Sequence, residues 1–259
     1  MTYIKSLIAR RGLLLTLTFR DLQVRYKQSV LGILWAVLQP LSLMLMFTLI
    51  FSLLLKVPSD GLPYPIFVYS ALLPWTFFAN ALGRAVPSIE SNSSIIKKVY
   101  FPRELIPLSS VLATSVDFVI GFAIFLGMML YYHVPFTPYM LYVIPILAIQ
   151  IAFTVGISLF ASALNAYYRD VRHALPLMIQ LWMYASPVIY PISQVPERLK
   201  MFYLLNPMAG IMEGYRACLV KATAPTPLYL GIAATGAVVM LAFGWWYFKR
   251  TEMSFVDVV

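Results

Sequence analysis

Cysteine, histidine and acidic side chains are all scarce in this chain. One cysteine, Cys218, excludes an internal disulfide, and two histidines, His133 and His173, cannot assemble a metal-ligand cluster. Asp and Glu together number 10, and charged residues of both signs make up 11% of the chain, where a soluble domain carries roughly a quarter. None of the 12 glycines is followed by lysine, so the phosphate-cradling pattern GxxxxGK[ST] is absent. An enzyme such as an acyl- or glycosyltransferase needs acids, bases or a metal clustered near one point. Here the charges stand singly, which argues against that class.

What is present is apolar surface, at 61% of residues. Uncharged runs of 28, 23, 35, 23 and 27 residues cover 28–55, 61–83, 134–168, 174–196 and 222–248. Each exceeds the roughly 20 residues a helix needs to cross a hydrocarbon core. A sixth run, 105–132, is broken only by Asp117. The pattern predicts an all-α integral membrane protein of six transmembrane helices. The earlier apolar stretch, 12–19, follows Lys5, Arg10 and Arg11 but has no small-residue cleavage site, so an uncleaved helix lying at the membrane interface is expected.

Positive charge is unevenly distributed over a six-span layout. Fourteen Lys and Arg fall on the side of both termini and of the loops near 87–104 and 166–173, against five on the other. By the positive-inside rule the termini are cytoplasmic. The net charge of +9 is then mostly a topology signal, with attraction to anionic lipid as a second effect, and it calls for no nucleic acid.

Three features are more than plain connection. The loop after the second run, 87–104, is long enough for a short helix, with Ser88, Ser91, Ser93 and Ser94 as candidate caps. Ile95, Ile96, Val99, Tyr100 and Phe101 give it an apolar face beside Lys97 and Lys98. Such a face suits either docking to a partner or resting on lipid. Asp117 is the one acid well inside a run, where a carboxylate is costly and turns inward. Proton coupling and a hydrogen-bonded lock between helices are both open to it, the lock being favoured. The stretch 192–221 holds two amphipathic pieces too short to span, with Glu213 and Arg216 spaced to pair on one helix face. Pro40, Pro74, Pro145, Pro176 and Pro187 fall in or at the ends of runs and are candidate kinks.

Four stretches, RDLQVRYKQSVLGILWAVLQPL (20–41), IKKVYFPRELIPLSSV (96–111), YYRDVRH (167–173) and NPMAGIMEGYR (206–216), occur in order along the chain. In wording and spacing the chain resembles type-2 ABC transporter permeases, most closely the permease subunits that export lipid-linked polysaccharide such as O-antigen, over roughly residues 15–250. The resemblance implies a homodimer paired with two copies of a separate ATPase that binds ATP and magnesium, so this chain carries no cofactor and no catalytic site. It implies a cytoplasmic interfacial helix in 1–27, a transmembrane domain over 28–250 and a cytoplasmic tail at 251–259, in a bacterial inner membrane.

Within that domain the family places a coupling helix at about 88–101, which sits in the ATPase. Ile95, Ile96, Lys97, Lys98, Val99, Tyr100, Arg103 and Glu104 are the expected contacts. The pore is expected along the second and fifth spans, where Tyr69, Trp75, Phe77, Phe78, Trp182, Tyr184 and Tyr190 offer flat faces to a sliding sugar chain. Between the fifth and sixth spans, re-entrant helices are expected at an extracellular gate bearing Asn206, Pro207, Glu213, Tyr215 and Arg216. The implied cargo is an undecaprenyl-linked polysaccharide; teichoic acid, capsular polymer or a small hydrophobic molecule are alternatives.

Overall fold

The structure, a computed structural model, describes residues 10–27, 32–99 and 101–255. All regular elements among these residues are helical. In chain order they are α1 (Arg11–Tyr26), α2 (Trp35–Phe47), α3 (Tyr64–Ala85), α4 (Ser88–Ser91), α5 (Ser93–Lys98), α6 (Leu105–Tyr131), α7 (Val143–Tyr167), α8 (Asp170–Tyr184), α9 (Glu197–Leu204), α10 (Pro207–Leu219) and α11 (Pro227–Thr251). A π-helical segment, Thr48–Leu54, prolongs α2. In a medium without water each backbone donor must be satisfied inside its own segment, which is why such apolar runs become helices.

Five stretches are long and apolar enough to cross a membrane: Gly32–Leu54, Tyr64–Ala85, Leu105–Tyr131, Pro138–Tyr167 and Pro227–Ser254. The expected run 174–196 is not one helix. Its helical part, α8, stops at Tyr184 after 15 residues, about 22 Å at 1.5 Å per residue. The chain then continues irregularly through Ser186, Val188 and Ile189, all buried. Likewise the single helix expected at 88–101 is two short ones, broken at Asn92, with Val99 already extended.

α3 is the hub of the bundle, with 78% of its most apolar stretch buried against 11% for that of Gly32–Leu54 and 17% for that of Pro227–Ser254. Around it pack α2, α6, α7 and α10, so Ile66, Phe67, Tyr69, Leu72, Phe78 and Leu82 form one continuous core. Lipid tails are as apolar as leucine, so such packing rests on close contact and hydrogen bonds rather than on exclusion of water. The α7–α11 crossing shows this directly. A Cβ at Gly156 would stand 2.6 Å from the Met240 carbonyl oxygen and the Leu241 nitrogen, and one at Gly244 would collide with the Gly156 carbonyl. Two glycines facing each other let the backbones touch.

Polar links fasten the hub. Gln150 on α7 donates to the Pro74 carbonyl on α3 at 2.8 Å and accepts from the Tyr215 hydroxyl on α10 at 2.8 Å. One amide thereby ties three helices at a place where an unmet polar group is expensive.

Candidate functional site

The end of the bundle that carries α4 and α5 is organised by three long-range links. Arg172, in the first turn of α8, reaches both carboxylate oxygens of Glu90 on α4 at 3.0 Å, and its backbone N–H donates to Asn165 Oδ1 at 3.0 Å. Lys249 near the end of α11 lies between Glu104 (2.9 Å) and Glu252 (3.0 Å). Arg103 donates to the Glu252 carbonyl. The junction after α5 is thus bound to the last helix, and α4 is bound to the start of α8.

This geometry redistributes the residues expected to meet a partner. Ile96 is 4% exposed and packs inward against Ile89, Phe101, Leu105 and Phe248, with Ile95 half-buried beside it. Its aliphatic side chain seats α5 on its own bundle. Glu104 is 1% exposed and spent on Lys249, and Arg103 is spent on Glu252. What remains outward is Lys97, Lys98 and Val99, the last 57% exposed. Tyr100 lies outside the described residues. α5 is thus a short helix with one inward isoleucine and an outward basic rim.

α1 is docked onto α6 rather than free of it. Asp21 pairs with Arg20 at 3.0 Å and accepts from the hydroxyls of Ser109 and Ser110 at 3.1 and 3.3 Å. About two turns further along α6, Asp117 takes both the Arg25 guanidinium and the Tyr26 hydroxyl. The intramembrane acid is therefore a lock between α1 and α6, with its charge neutralised as low-dielectric burial requires. No spacing in the sequence could link residues 91 or 92 positions apart.

The expected pore aromatics divide into two groups. Tyr69, Trp75, Phe77 and Phe78 are all on α3 and buried within the bundle. Tyr69 stacks on Phe125 at 6.1 Å, Phe77 meets Phe118 edge-on at 5.5 Å, and Phe78 meets Trp75, Phe153 and Trp182 at 5.6, 5.8 and 5.2 Å. Their faces are taken by other rings of the same chain. Tyr184, at the end of α8, is 51% exposed, and half-buried Tyr190 donates its hydroxyl to the Tyr184 carbonyl. α8 has no buried residue at all, and Leu177, Met178, Leu181 and Tyr184 are outward.

At the opposite end α10 gathers the remaining candidates. Asn206 caps it by accepting from Met208 N–H at 3.1 Å, with Pro207 at the first helical position. The same Asn206 oxygen accepts from Trp182 Nε1 at 3.0 Å, and its amide donates to Ser186 Oγ at 2.8 Å, joining α10 to the end of α8. Tyr215 faces inward, bonded to Gln150. Arg216 is fully buried, 3.9 Å above the Phe67 ring, and donates to the Pro187 carbonyl at 2.8 Å and to Glu213 at 3.4 Å. Glu213 also takes Lys221 at 2.9 Å, and Lys221 reaches Asp60 at 3.1 Å. Burial pulls the Lys221 ammonium down, but the two carboxylates outweigh it and hold its pKa above the ordinary value. Asp60 and Gly61, both at positive φ, form the tight turn that delivers this carboxylate. The Glu213–Arg216 spacing was legible as a pair; its burial and its extension to Asp60 and Pro187 were not.

Among the described residues, no group of three or more His, Cys, Asp or Glu side chains is placed to hold a metal. The polar clusters instead link elements that are distant in the chain.

Comparison with known proteins gives the chain a family. The chain is 32% identical to the O-antigen export system permease protein RfbA of Klebsiella pneumoniae over 250 residues, covering 95% of each chain. It is 31% identical to the protein of that name from Myxococcus xanthus, covering 99% of this chain and 98% of that one. The polysialic acid transport protein KpsM of Escherichia coli is more distant, 22% identical over 91% of this chain and 92% of its own. The ABC-2 type transporter family model matches residues 12–220, from α1 to the end of α10. This multi-helix membrane protein belongs to the ABC-2 type transporter family.

Proposed function

We propose that the chain is the membrane subunit of an ATP-driven exporter of lipid-linked polysaccharide, acting as a homodimer with two copies of a separate ATPase that binds ATP and magnesium. The observation that carries this reading is the near end-to-end similarity to O-antigen export permeases. In it both termini are cytoplasmic, α4 and α5 are the coupling element in a bacterial inner membrane, and 28–250 form the transmembrane domain between the interfacial segment 1–27 and the tail 251–259.

The sixth crossing in this reading is α8 together with the irregular turn that follows it. Non-helical backbone is tolerated at membrane depth only where its carbonyls are satisfied within protein. That requirement is met here: Arg216 donates to Pro187, and the Tyr64 hydroxyl donates to the Ile189 carbonyl at 2.8 Å. α9 and α10 then form the re-entrant pair at the extracellular face. The outward apolar side of α8 is where a second protomer would complete the pore, with Tyr184 and Tyr190 on the cargo path.

The test is reconstitution of the chain with its ATPase in vesicles supplied with an undecaprenyl-linked polysaccharide. ATP-dependent appearance of polymer on the far leaflet is expected, with no nucleotide turnover by the purified chain alone. Transport of teichoic acid or capsular polymer instead would move the cargo within the exporter class, capsule being the reading favoured by the similarity to the polysialic acid transport protein. Export of small hydrophobic molecules only, or covalent modification of the lipid-linked sugar without ATP, would overturn the reading.

A further inference from the structure

One cavity in the bundle is bordered by several hydrogen-bond donors that no group among the described residues accepts. It has a volume of about 220 Å³ and lies between α1, α2, α3 and α6, more room than one water needs. Arg25, Gln39, Asn80, Arg84 and Asp117 contribute its polar lining. Asp117 is already engaged by Arg25 and Tyr26. Arg25 Nε, by contrast, is buried without a partner. Among the described residues Arg84, exposed in the last turn of α3 at the rim of this cavity, has no ion pair and no hydrogen bond, and the side-chain amides of exposed Gln39 and half-buried Asn80 have none either.

A second cavity, about 520 Å³, shares Arg25 and Arg84 with the first and adds Arg20 and Asp21. Asp21 is occupied by Arg20 and the two serines of α6. Three arginines therefore border the two neighbouring cavities against two carboxylates, and both carboxylates are already paired. One positive charge is left over, and it belongs to Arg84. The facing wall is apolar, made by Trp35, Pro40 and Phe77, and Trp35 itself is exposed on the outer surface of α2. The first cavity is thus cationic on one side and bordered on the other by a tryptophan that also reaches the outer surface.

An arginine serving only as a positive-inside anchor needs no neighbouring set of unused donors. A guanidinium fork beside a second unpaired N–H and two free amides matches a phosphate oxygen cluster, which accepts several charge-assisted hydrogen bonds at once. We propose that Arg84, with Arg25 Nε, Asn80 and Gln39, binds the phosphate-bearing head of the carrier lipid, whose hydrocarbon chain leaves past Trp35 along α2. This rests on the reading of the chain as an exporter of lipid-linked saccharide and names where that lipid is held.

The transporter, assembled with its ATPase in neutral-lipid nanodiscs, is titrated with a short polyprenyl pyrophosphate carrying one sugar. Arg84→Gln is expected to weaken binding tenfold or more, with Arg84→Lys intermediate. Asn80→Leu, which fills the cavity without touching the charge, is expected to weaken it as well and reads the site if Arg84→Gln does not assemble. A phosphate-free polyprenyl glycoside is expected to bind weakly and equally to wild type and Arg84→Gln. Wild-type affinity in both Arg84→Gln and Asn80→Leu would overturn the site while leaving export intact. Displacement of the probe by inorganic pyrophosphate at equal concentration would overturn the lipid assignment, as would loss of the Arg84→Gln effect in phosphatidylglycerol nanodiscs. If wild type neither binds nor exports any lipid-linked saccharide, the functional reading itself falls, and this site with it.

Discussion

Arg172 grips Glu90 through both carboxylate oxygens at 3.0 Å across 82 positions of sequence. The pair joins the short helices expected to receive the ATPase stroke to the first turn of α8, the helix of the bundle with no buried residue of its own. A push on α4 therefore has a direct handle on a helix that buries none of its own residues. The Arg172 side chain is 41% exposed, and pairs of that exposure contribute about 0.2–1 kcal/mol or nothing measurable to stability. Glu90→Gln or Arg172→Gln should leave assembly and melting nearly unchanged while lowering polymer exported per ATP hydrolysed. The exchanged pair, Glu90→Arg with Arg172→Glu, should recover part of the ratio. An unchanged ratio in the single variants would remove this pair from the transmission path.

The lock at Asp117 should behave in the opposite manner. The Arg25 and Asp117 side chains are 10% and 15% exposed, and removing one member of a buried pair leaves an uncompensated charge costing about 3–5 kcal/mol. Asp117→Asn should lower thermal stability in detergent and expose α1 to protease. Adding Arg25→Gln should restore much of both. If Asp117→Asn melts like wild type but loses transport, a transport role for this carboxylate would replace the lock.

The α7–α11 crossing predicts a purely structural failure. Because the atoms nearest a Cβ at Gly156 are backbone, they cannot swing aside, so Gly156→Ala should cost about 1–3 kcal/mol, as overpacking typically does. Gly231, with open space around its Cβ position, should accept alanine with no loss. Size-exclusion profiles and melting curves of the two variants make the comparison.

Aromatic replacements should separate by burial. Phe78→Leu and Trp75→Leu break ring contacts inside the bundle, each worth about 0.5–1.5 kcal/mol beyond area burial, and should lower stability. Tyr184→Leu removes an outward ring and should leave stability intact while reducing polymer yield. Full export by a stable Tyr184→Leu variant would show that this ring is not on the cargo path.

What the linear sequence determined was everything governed by the solvent a segment meets. Uncharged runs of more than 20 residues favour helix wherever backbone groups have no water to bind, so the helices α2, α3, α6, α7 and α11 were legible. Only the tertiary structure decided the partners. Ile96 and Phe78 carry no sign of facing inward rather than toward an ATPase or a pore, because an apolar side chain suits protein, lipid and interface alike. Spacing exposed the Glu213–Arg216 pair because one helical turn brings those residues together. The Glu90–Arg172, Arg25–Asp117 and Glu104–Lys249 links join residues 82, 92 and 145 positions apart, and contacts that only the fold brings together leave no periodic trace in the chain that forms them.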